Sequence, residues 1–288
     1  MKKKVQVGVI NVTMHPHSPK RYVELFRSAR AQNMAIHLQG TSWAELADVH
    51  EVSKSDAEVK PIYGEIYKYT NFDPKADWYN KDTKQHATEE ELEDTKQIDH
   101  LRPESTRFTF IFYPDEHLIV YSQYEKSKNF TPNLATEFFN ALLNLSQLQE
   151  IYGEINVTHQ PEENAVTEII KLPSKRKLEM TITRPNALKS AEQKYLKKMK
   201  KRKVQKIKEE LTADSDNAIE VDDELKDAIK IAAKYGNVKT SGKNDQGERV
   251  TIDTNDTPFS AKDFYDDKHH TAMEAFRMLA ETVLDQFR

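Results

Sequence analysis

The sequence predicts an α+β protein built from mixed or antiparallel sheets with packed helices, a basic helix and a C-terminal hairpin plus helix. Three observations lead there. Some short segments alternate apolar and polar residues, as in Val5-Gln6-Val7-Gly8-Val9. Others place apolar residues three or four apart, as in Leu134, Phe138, Ala141, Leu142 and Leu145. Two helical segments open on a hydroxyl residue followed by proline, Ser18-Pro19 and Thr131-Pro132, the arrangement that caps a first turn.

Taken in order, Val5, Val7, Val9 and Val12 mark a first strand. Ser18 starts a helix running to about Ala31, with Tyr22, Val23 and Phe26 inward. Met34 to Leu38 reads as a second strand and Ile62 to Tyr69 as a third. Residues 71–104 are polar, and acidic at Glu89-Glu90-Glu91; they read as a long, partly mobile insertion. Strands Phe108–Tyr113 and Leu118–Tyr124 flank a Pro114-Asp115-Glu116 turn, and Thr131 opens the next helix. Glu154–Thr158, a helix from Pro161 to about Ile170, and Leu178–Thr183 read as a β-α-β unit. These elements make a first domain, residues 1–185, with the acidic insertion inside it. A second, 186–288, holds the basic helix, an acidic linker, and a helix at about 222–234. It ends with a hairpin, Val238–Lys243 and Glu248–Asp253, and a last helix from about Ala261 to Phe287. That helix presents Ala272, Phe276, Leu279, Val283 and Phe287 on one face.

Composition narrows the function classes. The 288 residues are 31% charged and 37% hydrophobic, with a mean hydropathy of −0.80. No apolar run approaches the ~18 residues of a membrane span, so no membrane contact is expected. There is no cysteine. That excludes disulfides, thiolate zinc sites, iron–sulfur clusters and cysteine nucleophiles, and cytoplasm is the default compartment. The seven glycines form no GxGxxG; Gly242 and Gly247 have P-loop spacing, but Glu248-Arg249 follow where Lys-Ser/Thr is required. No cofactor is expected.

Charge is unevenly distributed although the net is only −4. Residues 189–208 hold ten Lys or Arg against the single acid Glu192, and residues 209–227 hold nine acids against Lys226. The basic segment presents Lys194, Lys197, Lys198, Lys200, Lys201, Arg202, Lys203, Lys206 and Lys208, with Leu188, Leu196, Met199, Ile207 and Leu211 available to hold one side on a core. Such a surface suits an array of phosphates, each of which releases counterions when neutralised. The excess of lysine over arginine favours attraction to the backbone over base reading. The alternative is a solvated helix neutralised by its acidic neighbour.

Weaker patterns stand beside it. Asp266, Asp267, His269 and His270 cluster before the last helix, and His15 and His17 flank Pro16 so that both can share a side. Two ligands do not make a metal site, and none is expected. Asp48 with Glu58-Val59-Lys60 resembles a D…ExK nuclease arrangement, and Arg30 and His37 have an R-x6-H spacing. Phe108, Phe110 and Phe112 read as core, whereas Tyr63, Tyr67 and Tyr69 remain open as base-stacking residues.

The opening Val9-Ile10-Asn11-Val12…His15-Pro16…Arg21-Tyr22-Val23…Leu25-Phe26, with Gly64-Glu65-Ile66 and Phe72…Trp78-Tyr79-Asn80, resembles an uncharacterised bacterial family of unknown function over nearly the whole chain. The order of elements in the C-terminal half is similar to the RexA-like exclusion proteins of phage lambda. That likeness implies a dimer that binds DNA with little sequence preference and blocks phage growth.

The expectation is therefore a cytoplasmic, homodimeric, largely sequence-independent nucleic-acid-binding protein in anti-phage defence (abortive infection). DNA is favoured over RNA, and a defence-system partner protein is allowed. Enzymatic activity is left open; the alternatives are a metal-dependent nuclease or a protein-interaction subunit of a defence complex.

Overall fold

A computed structural model describes residues 2–52, 58–73, 76–97, 100–186 and 190–288. The first elements are β1 (Lys2–Thr13), α1 (Pro19–Ala31), β2 (Ala35–Gln39), β3 (Ser42–Glu51) and β4 (Ile62–Thr70). A small hairpin, β5 (Tyr79–Asn80) and β6 (Gln85–His86), precedes α2 (Glu89–Gln97), β7 (Thr106–Tyr113) and β8 (Leu118–Ser122). Then come β9 (Tyr124–Glu125), β10 (Lys128–Asn129), α3 (Pro132–Leu143), α4 (Ser146–Tyr152), β11 (Asn156–His159), α5 (Glu163–Lys171) and β12 (Ser174–Thr183). The chain continues through α6 (Ser190–Arg202), β13 (Lys206–Thr212), α7 (Asp223–Tyr235), β14 (Gly236–Lys243) and β15 (Arg249–Asp253). It closes with β16 (Ser260–Asp266) and α8 (Ala272–Phe287). The class is α+β, as expected.

The larger sheet runs β11-β1-β8-β7-β4-β3-β2, and its pairings are antiparallel. The long strand β1 has two partners along one edge. Lys2 to Gly8 pair with β16, and Ile10 to Thr13 pair with β11. Its period of two feeds two cores. Ile10 and Val12 join Tyr22 and Phe26 of α1, Phe108, Phe110 and Phe112 of β7, and Phe138 and Phe139 of α3. Val5, Val7 and Val9 face Phe276, Ala280, Val283 and Leu284 of α8. The smaller sheet, β13-β12-β14-β15, is also antiparallel. Leu178, Met180, Ile182 and Val238 cover one face against Ile229 and Ala232 of α7 and Ile169 of α5. β12 thus lies in the smaller sheet with later strands, and β16 and α8 return to the larger one.

Caps explain the helix starts. Ser18 accepts the Arg21 N–H, Thr131 accepts that of Leu134, and Asp222 that of Leu225. Thr271 and Glu274 form a reciprocal capping box.

Several expectations are corrected. The last helix begins at Ala272, not near Ala261, because the capping box sets its first turn and Ser260–Asp266 is recruited as a strand beside β1. A further strand is Ser42–Glu51, half polar and half apolar, with Ala44 and Leu46 buried and pairing to β4 along its length. Segments 154–158 and 178–183 do not form one β-α-β unit, since β11 and β12 lie in different sheets. The basic segment is not one helix: α6 ends at Arg202, and Lys206 and Lys208 lie on β13. Within 71–104, β5, β6 and α2 are regular; positions 74, 75, 98 and 99, together with Leu188 and Lys189, lie outside the described residues.

Gly64 of β4 crosses directly under the Phe110 ring, and a Cβ there would overlap the ring while touching the Asp48 carbonyl. Phe110 is fully buried and packs on Phe26 and Phe139. Gly64→Ala is therefore expected to cost about 1–3 kcal/mol by overpacking, seen as a lower urea midpoint at unchanged m-value. An unaltered midpoint would show that the ring is free to shift.

Candidate nucleic-acid interface

Helix α6 rests on the smaller domain core through Ala191 and Tyr195, and its Met199 is fully buried. Its inner side also carries Glu192, which is 4% exposed and receives the Lys234 ammonium of α7 at 3.0 Å. The outer side is left to cations. Lys194, Lys197, Lys198, Lys200, Lys201 and Arg202 are all exposed. Lys203 adopts a left-handed backbone, φ 55°. The Lys203 and Val204 N–H groups close the last turn on Lys200 and Met199 carbonyls, which ends the helix as a left-handed C-terminal residue does. The chain then turns into β13. There Lys206 and Lys208 stand opposite Thr183 and Thr181, on the sheet face away from Leu178, Met180 and Ile182. All nine sequence-selected basic residues are thus exposed, seven on α6 and its terminal turn and two on the adjoining strand. Of the neighbouring acids, Glu209 and Glu210 continue β13, and Glu210 pairs with Lys177 at 3.1 Å.

At the inner edge of this surface lies a group of histidines. The chain leaving β1 carries His15 and His17, whose ring centres are 5.6 Å apart; His117, from the β7–β8 turn, is 5.0 Å from His17. Tyr22 of α1 backs the group, 5.1 Å from His117. Its buried hydroxyl lies 3.1 Å from the Val12 carbonyl, 3.4 Å from Asn186 Oδ1, and accepts the Met14 N–H. Asn186 Nδ2 also donates to Val12. His15 Nε2 lies 3.3 Å from the Arg184 carbonyl. A carbonyl only accepts, so Nε2 carries the proton and Nδ1 of the neutral ring keeps a free lone pair. His117 is 3% exposed, and its Nδ1 has no hydrogen-bond partner among the described residues. The same holds for Asn11 Oδ1 and Thr13 Oγ1, both buried near the end of β1. Asn11 Nδ2 and Gln160 Nε2 donate to the Lys234 carbonyl and tie this end of β1 to α7.

Burial is the main cause holding all three imidazoles neutral. It lowers His117 to about 3 and, despite the Arg184 hydrogen bond, His15 to about 4. His17 is lowered too, by burial and then by the Lys200 charge. Arg184 ties the cluster to the end of α6: its carbonyl meets His15, and its Nη2 donates to the Val204 carbonyl at 3.1 Å.

The other sequence candidates are placed elsewhere. Arg30 Nε binds the Ala47 carbonyl, and His37 binds the Gly40 carbonyl and packs on Trp43. Asp48 accepts from Val49 N and lies 3.0 Å from His50 Nδ1. The Asp266 carbonyl accepts the His269 and His270 N–H groups in a turn, and Asp267 pairs with Lys3 at 3.1 Å. Tyr63 and Tyr69 bury their rings and donate to Glu65 and Glu45, whereas Tyr67 is exposed. Among the described residues no three His, Asp or Glu side chains are arranged to hold a metal. His117, Tyr22, Arg184 and Asn186 carry no site signal in the sequence; only His15 and His17 do.

Linkage gives a pH prediction. Between their folded and unfolded pKa values these histidines bind more protons in the unfolded chain. Stability is therefore full above about pH 6.5 and declines as pH falls through the window toward 4 for His15 and 3 for His117. The buried His117 contributes at most about 1.4 kcal/mol per pH unit. Urea midpoints between pH 6.5 and 5, above most carboxylate titrations, are expected to fall with pH, and less steeply in His117→Asn. A flat profile would contradict the buried, neutral cluster.

No helix among the described residues is long and apolar enough to cross a membrane. A comparison with curated proteins gives no match. Residues 3–281 match the family described as Domain of unknown function (DUF4747), and the chain belongs to that family.

Proposed function

We propose that this protein binds nucleic-acid backbones, largely independently of sequence, through the cationic surface of α6 and the start of β13. The observation that carries the reading is the exposure of Lys194, Lys197, Lys198, Lys200, Lys201, Arg202, Lys203, Lys206 and Lys208 on one short stretch whose inner side is anchored by Met199 and the Glu192–Lys234 pair. Six of these cations occupy a single 13-residue helix. Such a helix can follow a row of phosphates of DNA or RNA, and lysine-rich surfaces position the strand without reading bases. The resemblance to RexA-like proteins drawn from the sequence extends the proposal to a homodimer acting in anti-phage defence. A protein-interaction subunit is the competing reading, and the binding test separates the two.

Replacing Lys197, Lys198, Lys200 and Lys201 with glutamine should weaken binding to every duplex tested. The slope of log affinity against log salt should become shallower by about 0.9 for each phosphate that is no longer neutralised. Sequence preference should stay the same, and melting should stay near wild type because Met199 and Glu192 are untouched. Unchanged affinity and slope in the folded variant would show that this surface is only solvated and would favour the protein-interaction reading.

A further inference from the structure

The histidine group at the edge of α6 has features that backbone binding does not use. Three imidazoles pack together, His15 and His117 each against His17, with ring centres 5.6 and 5.0 Å apart. His15 has its tautomer set by the Arg184 carbonyl, which leaves Nδ1 as a base. His15 and His17 are half-exposed, whereas His117 behind them is buried with Nδ1 unpartnered. The scaffold is stiff: Tyr22 and Asn186 lock the chain just before His15 through Val12 and Met14. Arg184, whose carbonyl meets His15, donates through Nη2 to the Val204 carbonyl at 3.1 Å, just past the C-terminal turn of the proposed strand-binding helix that carries Lys200.

We propose that His15 and His17 form an acid–base centre that cleaves RNA by internal transesterification, with Lys200 beside the phosphate. This inference rests on the nucleic-acid reading of α6. His15 Nδ1 takes the proton of a ribose 2′-hydroxyl, and the 2′-oxygen forms a bond to the adjacent phosphorus. The bond from phosphorus to the 5′-oxygen of the next nucleotide breaks, and protonated His17 gives its proton to that oxygen. The products are a 2′,3′-cyclic phosphate and a free 5′-hydroxyl, and no water or oxidant is consumed. A bound phosphodiester is an anion beside His17, and it favours the protonated ring that the free protein disfavours. His117 is a positioning residue: its edge-on packing holds the His17 ring. DNA lacks the 2′-hydroxyl and would be bound but left intact.

The test is incubation of the full chain with an end-labelled RNA and the same-sequence DNA in excess EDTA, with binding measured in parallel. The expected result is RNA fragments ending in 2′,3′-cyclic phosphate, intact DNA, and resistance at any site given a single 2′-deoxy substitution. At saturating RNA, H15Q and H17Q should each cut at least about 100-fold more slowly, whatever modest binding each has lost. Melting curves identify any variant that fails to fold; for such a position H15N or H17N takes its place. RNA that is bound but uncut by the wild type would overturn this proposal and leave the binding reading standing. Cleavage abolished by EDTA, or equally fast in both variants, would also overturn it. Loss of both binding and cleavage would overturn the two readings together.

Discussion

The rest of the structure depends on the burial of β1 on both faces. From Val5 to Met14 nearly every side chain is enclosed, and alternate residues belong to different cores. A slip of one residue would exchange the two sets, sending Ile10 and Val12 toward α8 and Val7 and Val9 toward α1. The strand is also bonded along both edges, to β8 on one and to β16 then β11 on the other. Register, faces and edges are all fixed, so the chain leaves the sheet at one point and in one direction. His15 and His17 follow that point directly.

The same strand end joins the two sheets. Its last residues meet α7 through the Lys234 carbonyl, and the segment after β12 reaches back through Arg184 and Asn186. Lys234 has a second task, since its ammonium holds the buried Glu192 of α6. Removing one partner of a buried pair is costly because the other charge stays buried without compensation. This arrangement seats a helix carrying six exposed cations against the seam where the imidazoles collect. Polar burial there places a directional network between two apolar cores, which suits a site that must keep its geometry.

Much of this is legible in the residues. Ser18-Pro19, Thr131-Pro132 and the Val238–Asp253 hairpin are local signals, and each element lies where its signal points. The nine cations are recognisable by type alone, and exposure follows from their charge. What the residues do not reveal depends on partners distant in sequence. Ser42–Glu51 mixes five apolar and five polar residues without a clean alternation, and pairing with β4 makes it a strand. Ser260–Asp266 is a strand because β1 offers an edge more than 250 residues away, as the Gln6–Ser260 hydrogen bond marks. The Thr271–Glu274 box is a readable start for the last helix, masked by the continuous apolar stripe behind it. Ile207 and Leu211 fit a helical spacing as well as a strand one, and pairing with Ile182 and Leu178 decides for the strand. His15 and His17 are visible as neighbours, but His117 joins them only through the turn between β7 and β8.

The central claim is that α6 lies along a nucleic-acid backbone, and lysine footprinting addresses it most directly. Exposed amines are acylated in the free protein and in the presence of duplex DNA or single-stranded RNA, and modification is read at each lysine by mass spectrometry. The account predicts strong protection at Lys194, Lys197, Lys198, Lys200 and Lys201, weaker protection at Lys206 and Lys208, and none at Lys128 of β10. Equal modification of α6 with and without nucleic acid, or protection confined to other lysines, would contradict it.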